Sequence, residues 1–225
     1  MRPRRLVLVL GTGTDIGKTW VSAHLLTALR QAGQVVAARK PAQSFEPDDD
    51  PSSLDAAVLG AASGEAPETV CPPHRWYPVA MAPTMAAAVL GEEGFTTSQL
   101  VEEMSWPDGV QIDVGLVESA GGVRSPLADD GDSVTLCETL HPDLVLLIAD
   151  AGLGTINAVR LSLAALSPAL VEHGQVIVVL NRFDPFSDLH VRNRNWLVEQ
   201  DAMRVAVMPG GEEQLLRSLQ AERRP

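Results

Sequence analysis

The chain is short of cysteine, aromatic side chains, positive charge and long apolar runs. Cys71 and Cys137 are its only cysteines among 225 residues. They stand far apart, without metal-ligand spacing, and read as ordinary thiols of a reducing cytoplasm. Aromatic residues make up 4% of the chain, and Trp76 and Trp196 read as packing side chains rather than stacking platforms. Seventeen Lys and Arg stand against 29 Asp and Glu, a net charge of −12. Such an acidic chain is a poor partner for a phosphate backbone, so no nucleic-acid partner is expected. The first apolar stretch, Leu6 to Leu10, turns glycine-rich at once, and the basic start at Arg2, Arg4 and Arg5 reads as a solvated tail. Neither a signal peptide nor a membrane span is expected. His24, His74, His141, His173 and His190 show no metal-site pattern. His190, with Arg192 and Asn193, is the one to watch near a substrate. There is no internal repeat and no linker, so residues 1–225 are expected to form one domain.

What the chain does have is a strand–turn–helix signal near its start. The apolar run Leu6 to Leu10 leads into Gly11-Thr12-Gly13-Thr14-Asp15-Ile16-Gly17-Lys18-Thr19, and an amphipathic segment from Trp20 to Gln31 follows. This is the context of a phosphate-binding loop, whose backbone N–H groups and helix N-terminus wrap an anion. Lys18 is placed to reach the outer phosphates, and the Thr19 hydroxyl to face a Mg²⁺ between them. The loop is one residue longer than the usual pattern: Thr12 holds the usual glycine position and Gly11 precedes it.

The rest of the chain alternates apolar strands with helices, which predicts an α/β fold: a doubly wound, mostly parallel sheet with helices on both faces. Gly33 is expected to cap the first helix. Val35 to Ala38 reads as a strand that Pro41 cannot continue, so Lys40 falls at a strand's carboxyl end, where open α/β sheets bind ligands. The run Asp48-Asp49-Asp50 reads as solvated surface. Leu54 to Ala62 reads as a helix with Asp55 in its first turn, placed either to complement the helix dipole or to reach a metal at the loop. Residues 64–83 read as loop, 84–90 as an alanine-rich helix whose small side chains admit a close neighbour, and 96–105 as a helix capped by Thr97 or Ser98. Val114 to Val117 reads as a buried strand ending in Glu118, an acid suited to face Mg²⁺ or phosphate. Leu144 to Ala149 reads as another strand, followed by a second glycine turn, Gly152-Leu153-Gly154, and a long helix to about Glu172. Val176 to Leu180 ends at Asn181, whose amide can read a base edge. A helix near 188–200, a strand at 204–208 and a final helix complete the pattern.

Four blocks stand together in order: Gly11 to Thr19; Lys40-Pro41; Glu118-Ser119-Ala120-Gly121-Gly122; and Leu153-Gly154-Thr155-Ile156-Asn157. In this combination the chain resembles the dethiobiotin synthetases over roughly residues 5–215. The resemblance implies an ATP- and Mg²⁺-dependent cyclo-ligase of biotin biosynthesis, acting in the cytoplasm as a homodimer. It would carboxylate 7,8-diaminononanoate with CO₂ and close the ureido ring, releasing ADP and phosphate. Lys18, Lys40 and Thr14 would be catalytic. Gly13, Thr14, Asp15, Ile16, Gly17, Lys18, Thr19, Glu118, Asn181 and Pro209 would hold the nucleotide. Thr19, Asp55 and Glu118 would hold Mg²⁺. Lys40, Ser44, Ala82, Pro83, Gly154 and Asn157 would hold the diamine, the last two across the homodimer. Three positions depart from the family pattern: Ser119 replaces a glycine, Phe45 follows Ser44, and Ala158 follows Asn157. None removes a charged group, and together they leave room for an altered substrate. Two other readings stand beside the ligase: a regulatory P-loop ATPase of the ParA/MinD type, and a paralogue with altered substrate. A lysine at the start of the loop would favour the regulatory ATPase, and Thr12 and Gly13 stand there instead.

Overall fold

The structure is a computed structural model that describes residues 1–220. Six strands form one all-parallel sheet: β1 (Arg5–Gly11), β2 (Val36–Arg39), β3 (Val114–Glu118), β4 (Leu144–Asp150), β5 (Val176–Asn181) and β6 (Val205–Val207). Their order across the sheet is β6-β5-β4-β1-β3-β2. β1 pairs β3 from Arg5 opposite Val114 to Val9 opposite Glu118, and β4 from Val7 opposite Leu144 to Gly11 opposite Ile148. The strands read as continuous apolar runs because both faces are covered.

Successive side chains leave a strand on opposite faces, and the core divides accordingly. Val7 and Val9 of β1 face one layer with Leu116, Leu146 and Val179. That layer packs against α1 (Lys18–Gln31), α2 (Asp55–Ser63) and, through Leu215 and Leu219, the last helix, Glu212–Gln220. Leu6, Leu8 and Leu10 face the other layer with Val117, Val145, Leu147 and Val178. There they meet α3 (Pro83–Leu90), α4 (Thr97–Glu103), α5 (Ser133–Leu140), α6 (Thr155–Ala165) and α7 (Asp188–Glu199); we label the last helix α8. β1 therefore leads to a helix on one face, while its neighbour β3 leads to α5 on the other. A crevice opens between the carboxyl ends of two strands so connected, and ligands bind in it.

The expected fold class holds, and several local expectations are corrected. Residues 64–83 are not plain loop: Pro67–Val70 is a helical turn, Pro73–Arg75 a 3₁₀ turn, and Trp76-Tyr77 pairs in parallel with Gln43-Ser44. α4 is capped by Thr96 rather than Thr97 or Ser98. Thr96 takes the Gln99 N–H and returns its own N–H to the Gln99 side chain, a complete capping box. The first helix ends on Ala32, with Gly33 just beyond it at φ 81°. The helix after Gly154 stops at Ala165 instead of running to Glu172. Leu166 and Ser167 are extended and Pro168 starts a separate turn, since a residue before proline is driven out of helical backbone. A small antiparallel pair, Pro126–Ala128 with Gly131-Asp132, and α5 had no counterpart in the sequence reading.

Candidate functional site

β1 ends at Gly11, and the loop to α1 turns back over the sheet edge. Asp15 takes φ 56° and Gly17 φ 86°, both left-handed, and Gly17 ends the loop as the α1 N-cap. A Cβ at Gly17 would run into the Asn181 Nδ2, and the left-handed backbone there favours glycine, so this position is closed to a side chain. A Cβ at Gly11 would crowd the Lys18 Cδ at 2.9 Å. The Lys18 Nζ spans the loop, donating to the Gly13 carbonyl at 3.1 Å and the Gly121 carbonyl at 3.0 Å. Burial first, and then the Lys40 ammonium, hold Lys18 below the ordinary lysine value.

Lys40 follows β2 directly and is buried. Its Nζ lies 2.6 Å from the Asp55 Oδ2, 2.9 Å from the Glu118 Oε1 and 3.2 Å from the Ser119 carbonyl. Burial alone would lower this ammonium. The charges of Asp55 and Glu118 outweigh it and raise Lys40 above its ordinary value. Asp55 answers in kind: burial opposes its ionisation, but Lys40, then the Thr19 hydroxyl, hold the carboxyl below the usual range. Glu118 ends β3 with no solvent exposure. Its Oε2 accepts from the Ser22 hydroxyl at 2.7 Å.

The Thr19 Oγ1 lies 2.6 Å from the Asp55 Oδ1 and 2.9 Å from the Glu118 Oε1. One hydroxyl proton serves one of these carboxylates, so the other oxygen pair meets lone pair to lone pair. Two carboxylates and a hydroxyl turned on one point are a hard-oxygen donor set that fits Mg²⁺, which keeps several waters and takes the rest from phosphate. Among the described residues there is no cluster of three or more His, Cys, Asp and Glu, so the set is unsuited to a fully protein-ligated metal.

A cavity of about 480 Å³ opens over these groups. It brings together Thr14, Asp15, Gly17, Lys18, Thr19, Lys40, Ser44 and Asp55 of the expected residues. Glu118 lies behind this wall. Gly13, Ile16, Asn181, Pro209, Ala82, Pro83, Gly154 and Asn157 do not line the cavity. The Ser44 hydroxyl donates to the Met81 carbonyl at 2.5 Å, which ties the cavity wall to the start of α3 at Ala82 and Pro83. Gly154 and Asn157 are exposed at the start of α6. Asn181 is buried, and its Nδ2 donates to the Ile16 carbonyl at 2.8 Å.

Phe45, expected near the mouth of the site, lines the cavity. Some members were missed: Asp49, expected as solvated surface, lines it too, as do Gln43 and Arg182. Gln43 accepts the Ala56 N–H at 2.9 Å and so fixes the start of α2, which carries Asp55. Ser22 carried a legible signal: it stands one helical turn beyond Lys18 and Thr19, on the same face. Arg182 carried none beyond its place next to Asn181.

The chain matches the protein-family model described as an AAA domain over residues 5–195. Among solved structures it is similar to the signal recognition particle receptor FtsY from Elizabethkingia anophelis, with TM-score 0.54 at 14% identity, covering 98% of this chain and 67% of that one. At that identity the likeness concerns the fold alone. It is 38% identical over 173 residues to the ATP-dependent dethiobiotin synthetase of Caulobacter sp. strain K31, covering 76% of this chain and 74% of that protein. It is 36% identical over 206 residues to the synthetase of the same name from Haloferax mediterranei, covering 89% and 82%. Identity at this level over most of both chains shows the lineage: the chain belongs to the ATP-dependent dethiobiotin synthetase family.

Proposed function

We propose that this chain is the ATP-dependent ligase that closes the ureido ring of dethiobiotin on 7,8-diaminononanoate, with CO₂ as the carbon source. One observation carries the reading: Lys18, Thr19, Lys40 and Asp55 line a single cavity, with Glu118 bonded to Thr19 and Lys40 directly behind them, and they come from three neighbouring strand ends and two helices. The chemistry needs that convergence. A neutral substrate amine adds CO₂ and loses a proton to give a carbamate. The carbamate oxygen takes the γ-phosphoryl of ATP and ADP leaves. The second amine then attacks the carbamoyl carbon, phosphate departs, and the ring closes. Each stage places anions side by side, and two lysines entering from separate elements offset them. Phosphoryl transfer asks a protein mainly for positioning and charge stabilisation, and for no strong base.

Lys18 neutralises the outer phosphates while its loop wraps them with backbone N–H groups, Thr14 and Asp15 facing the substrate side. Lys40, held in place by Asp55 and Glu118, meets the carbamate. Thr19, Asp55 and Glu118 would hold Mg²⁺, which supplies charge neutralisation across the phosphates. Ser44, Ala82 and Pro83 line the diamine's path. Gly154 and Asn157, exposed here, would receive the substrate carboxylate across a homodimer. Asn181 and Pro209 flank the base. Membership of the family supports ATP use, and the acidic charge argues against a nucleic-acid partner. No described helix is long and apolar enough to cross a membrane.

The test is direct. Diaminononanoate, bicarbonate, Mg²⁺ and ATP are incubated with the chain and the cyclic urea is sought by mass. ADP release without that product overturns the reading.

A further inference from the structure

Three side chains hold the Glu118 carboxylate, and they differ in what else they serve. Its Oε1 lies 2.9 Å from the Lys40 Nζ and 2.9 Å from the Thr19 Oγ1, and both of these groups also face Asp55. On the proposed reading each has a second duty, Thr19 toward Mg²⁺ and Lys40 toward the carbamate. The Ser22 hydroxyl has none. It donates to the Glu118 Oε2 at 2.7 Å, and among the described residues it bonds Glu118 alone.

Position 22 is otherwise a core position. Val21, Leu25 and Leu26 beside it are fully buried, and Ser22 itself has no solvent exposure. A hydroxyl buried there costs stability unless it is bonded, and its bond runs to a carboxylate that is equally buried. Helix geometry explains the meeting. Thr19 and Ser22 stand three apart on one face of α1, so one hydroxyl reaches each oxygen of the same carboxylate. Strand pairing fixes only the root of that side chain, setting Glu118 opposite Val9. The last torsion of a glutamate is broad, so the plane of its carboxylate is set by the groups it bonds.

We propose that Ser22 is a positioning residue for the metal: by holding Oε2 it keeps the Glu118 Oε1 aimed at the point that Thr19 and Asp55 share. The proposal rests on reading Thr19, Asp55 and Glu118 as the Mg²⁺ set.

The experiment titrates Mg²⁺ into the full chain with a fluorescent ATP analogue and reads analogue binding, with the melting temperature measured separately. Ser22→Ala removes only the hydroxyl, and alanine is the better helix former, so α1 stands. It is expected to raise the Mg²⁺ concentration for half-maximal binding by about tenfold or more, the usual cost of losing a group that orients a metal ligand, and to move binding in EDTA by less than about twofold. Ser22→Cys offers a weaker donor of similar size and is expected to raise the Mg²⁺ requirement by about threefold or more. A merely structural serine would lower the melting temperature and leave the Mg²⁺ requirement where it is. A folded Ala or Cys chain whose requirement stays within about twofold of the native one overturns the proposal. A native chain that binds the analogue equally well with and without Mg²⁺ overturns the metal reading and this proposal with it. Binding is read without turnover, so a chain that shows the shift but makes no cyclic urea keeps this assignment and loses the ligase reading.

Discussion

Lys40 is buried between the Asp55 and Glu118 carboxylates at the wall of the cavity, and this sets what its loss costs. Removing one partner of a buried pair leaves the other charge uncompensated, at about 3–5 kcal/mol. Lys40→Ala is therefore expected to lower the melting temperature as well as to cut turnover by about a hundredfold or more. Nucleotide should still bind, because Lys18 and the loop are untouched. Calorimetry and single-turnover kinetics check this, and loss of ATP binding with turnover intact at saturating ATP contradicts it. Lys18 carries the pH dependence. Its value is lowered in the fold, so between that value and the ordinary 10.5 the unfolded chain holds more protons, and stability rises with pH. Phosphate acts in the opposite sense: it favours the charged lysine, so nucleotide binding takes up a proton and affinity falls as pH climbs through the same window. Titration calorimetry in buffers of different ionisation enthalpy measures that uptake, and a flat alkaline affinity profile contradicts it. At this scale the sequence was partly legible. Lys18, Lys40, Asp55 and Glu118 could be named because each sits where an apolar run stops or a helix starts. Asp49 and Arg182 could not, because whether a loop side chain turns inward depends on what the loop crosses.

Elements announce themselves by period and by their ends, and the ends carried the errors. The phosphate loop was readable because glycine marks the backbone angles it needs. Gly17→Ala is expected to abolish nucleotide binding, since the added methyl meets the Asn181 amide and strains a left-handed residue. Unaltered binding of a fluorescent ATP analogue would contradict this. The cap of α4 was misplaced because three successive residues, Thr96, Thr97 and Ser98, all suit the role. The choice is made by Gln99, which lies three beyond Thr96 and returns the bond. Thr96→Ala is expected to cost about 1 kcal/mol in denaturant unfolding. The break at Leu166 was masked by an apolar pattern that continues past Pro168. α5 went unread because its capping acid, Asp132, sits inside a tight hairpin whose strands are too short to show alternation.

The whole molecule was the most legible level, because repeated apolar runs separated by helices leave few arrangements besides a doubly wound sheet. Overall charge carries an expectation of its own. A net charge of −12 is expected to keep ATP hydrolysis insensitive to added DNA. Stimulation by duplex DNA at low salt would instead favour the regulatory ATPase. The bond from Asn181 to the Ile16 carbonyl gives this level its sharpest consequence, joining positions 165 residues apart. On the proposed nucleotide reading, a bare tripolyphosphate would fill one side of that strap and a free nucleoside the other. The strap couples the two sides, so that occupying one is expected to be felt at the other. The two fragments should therefore assist one another's entry, even when no covalent link holds them together.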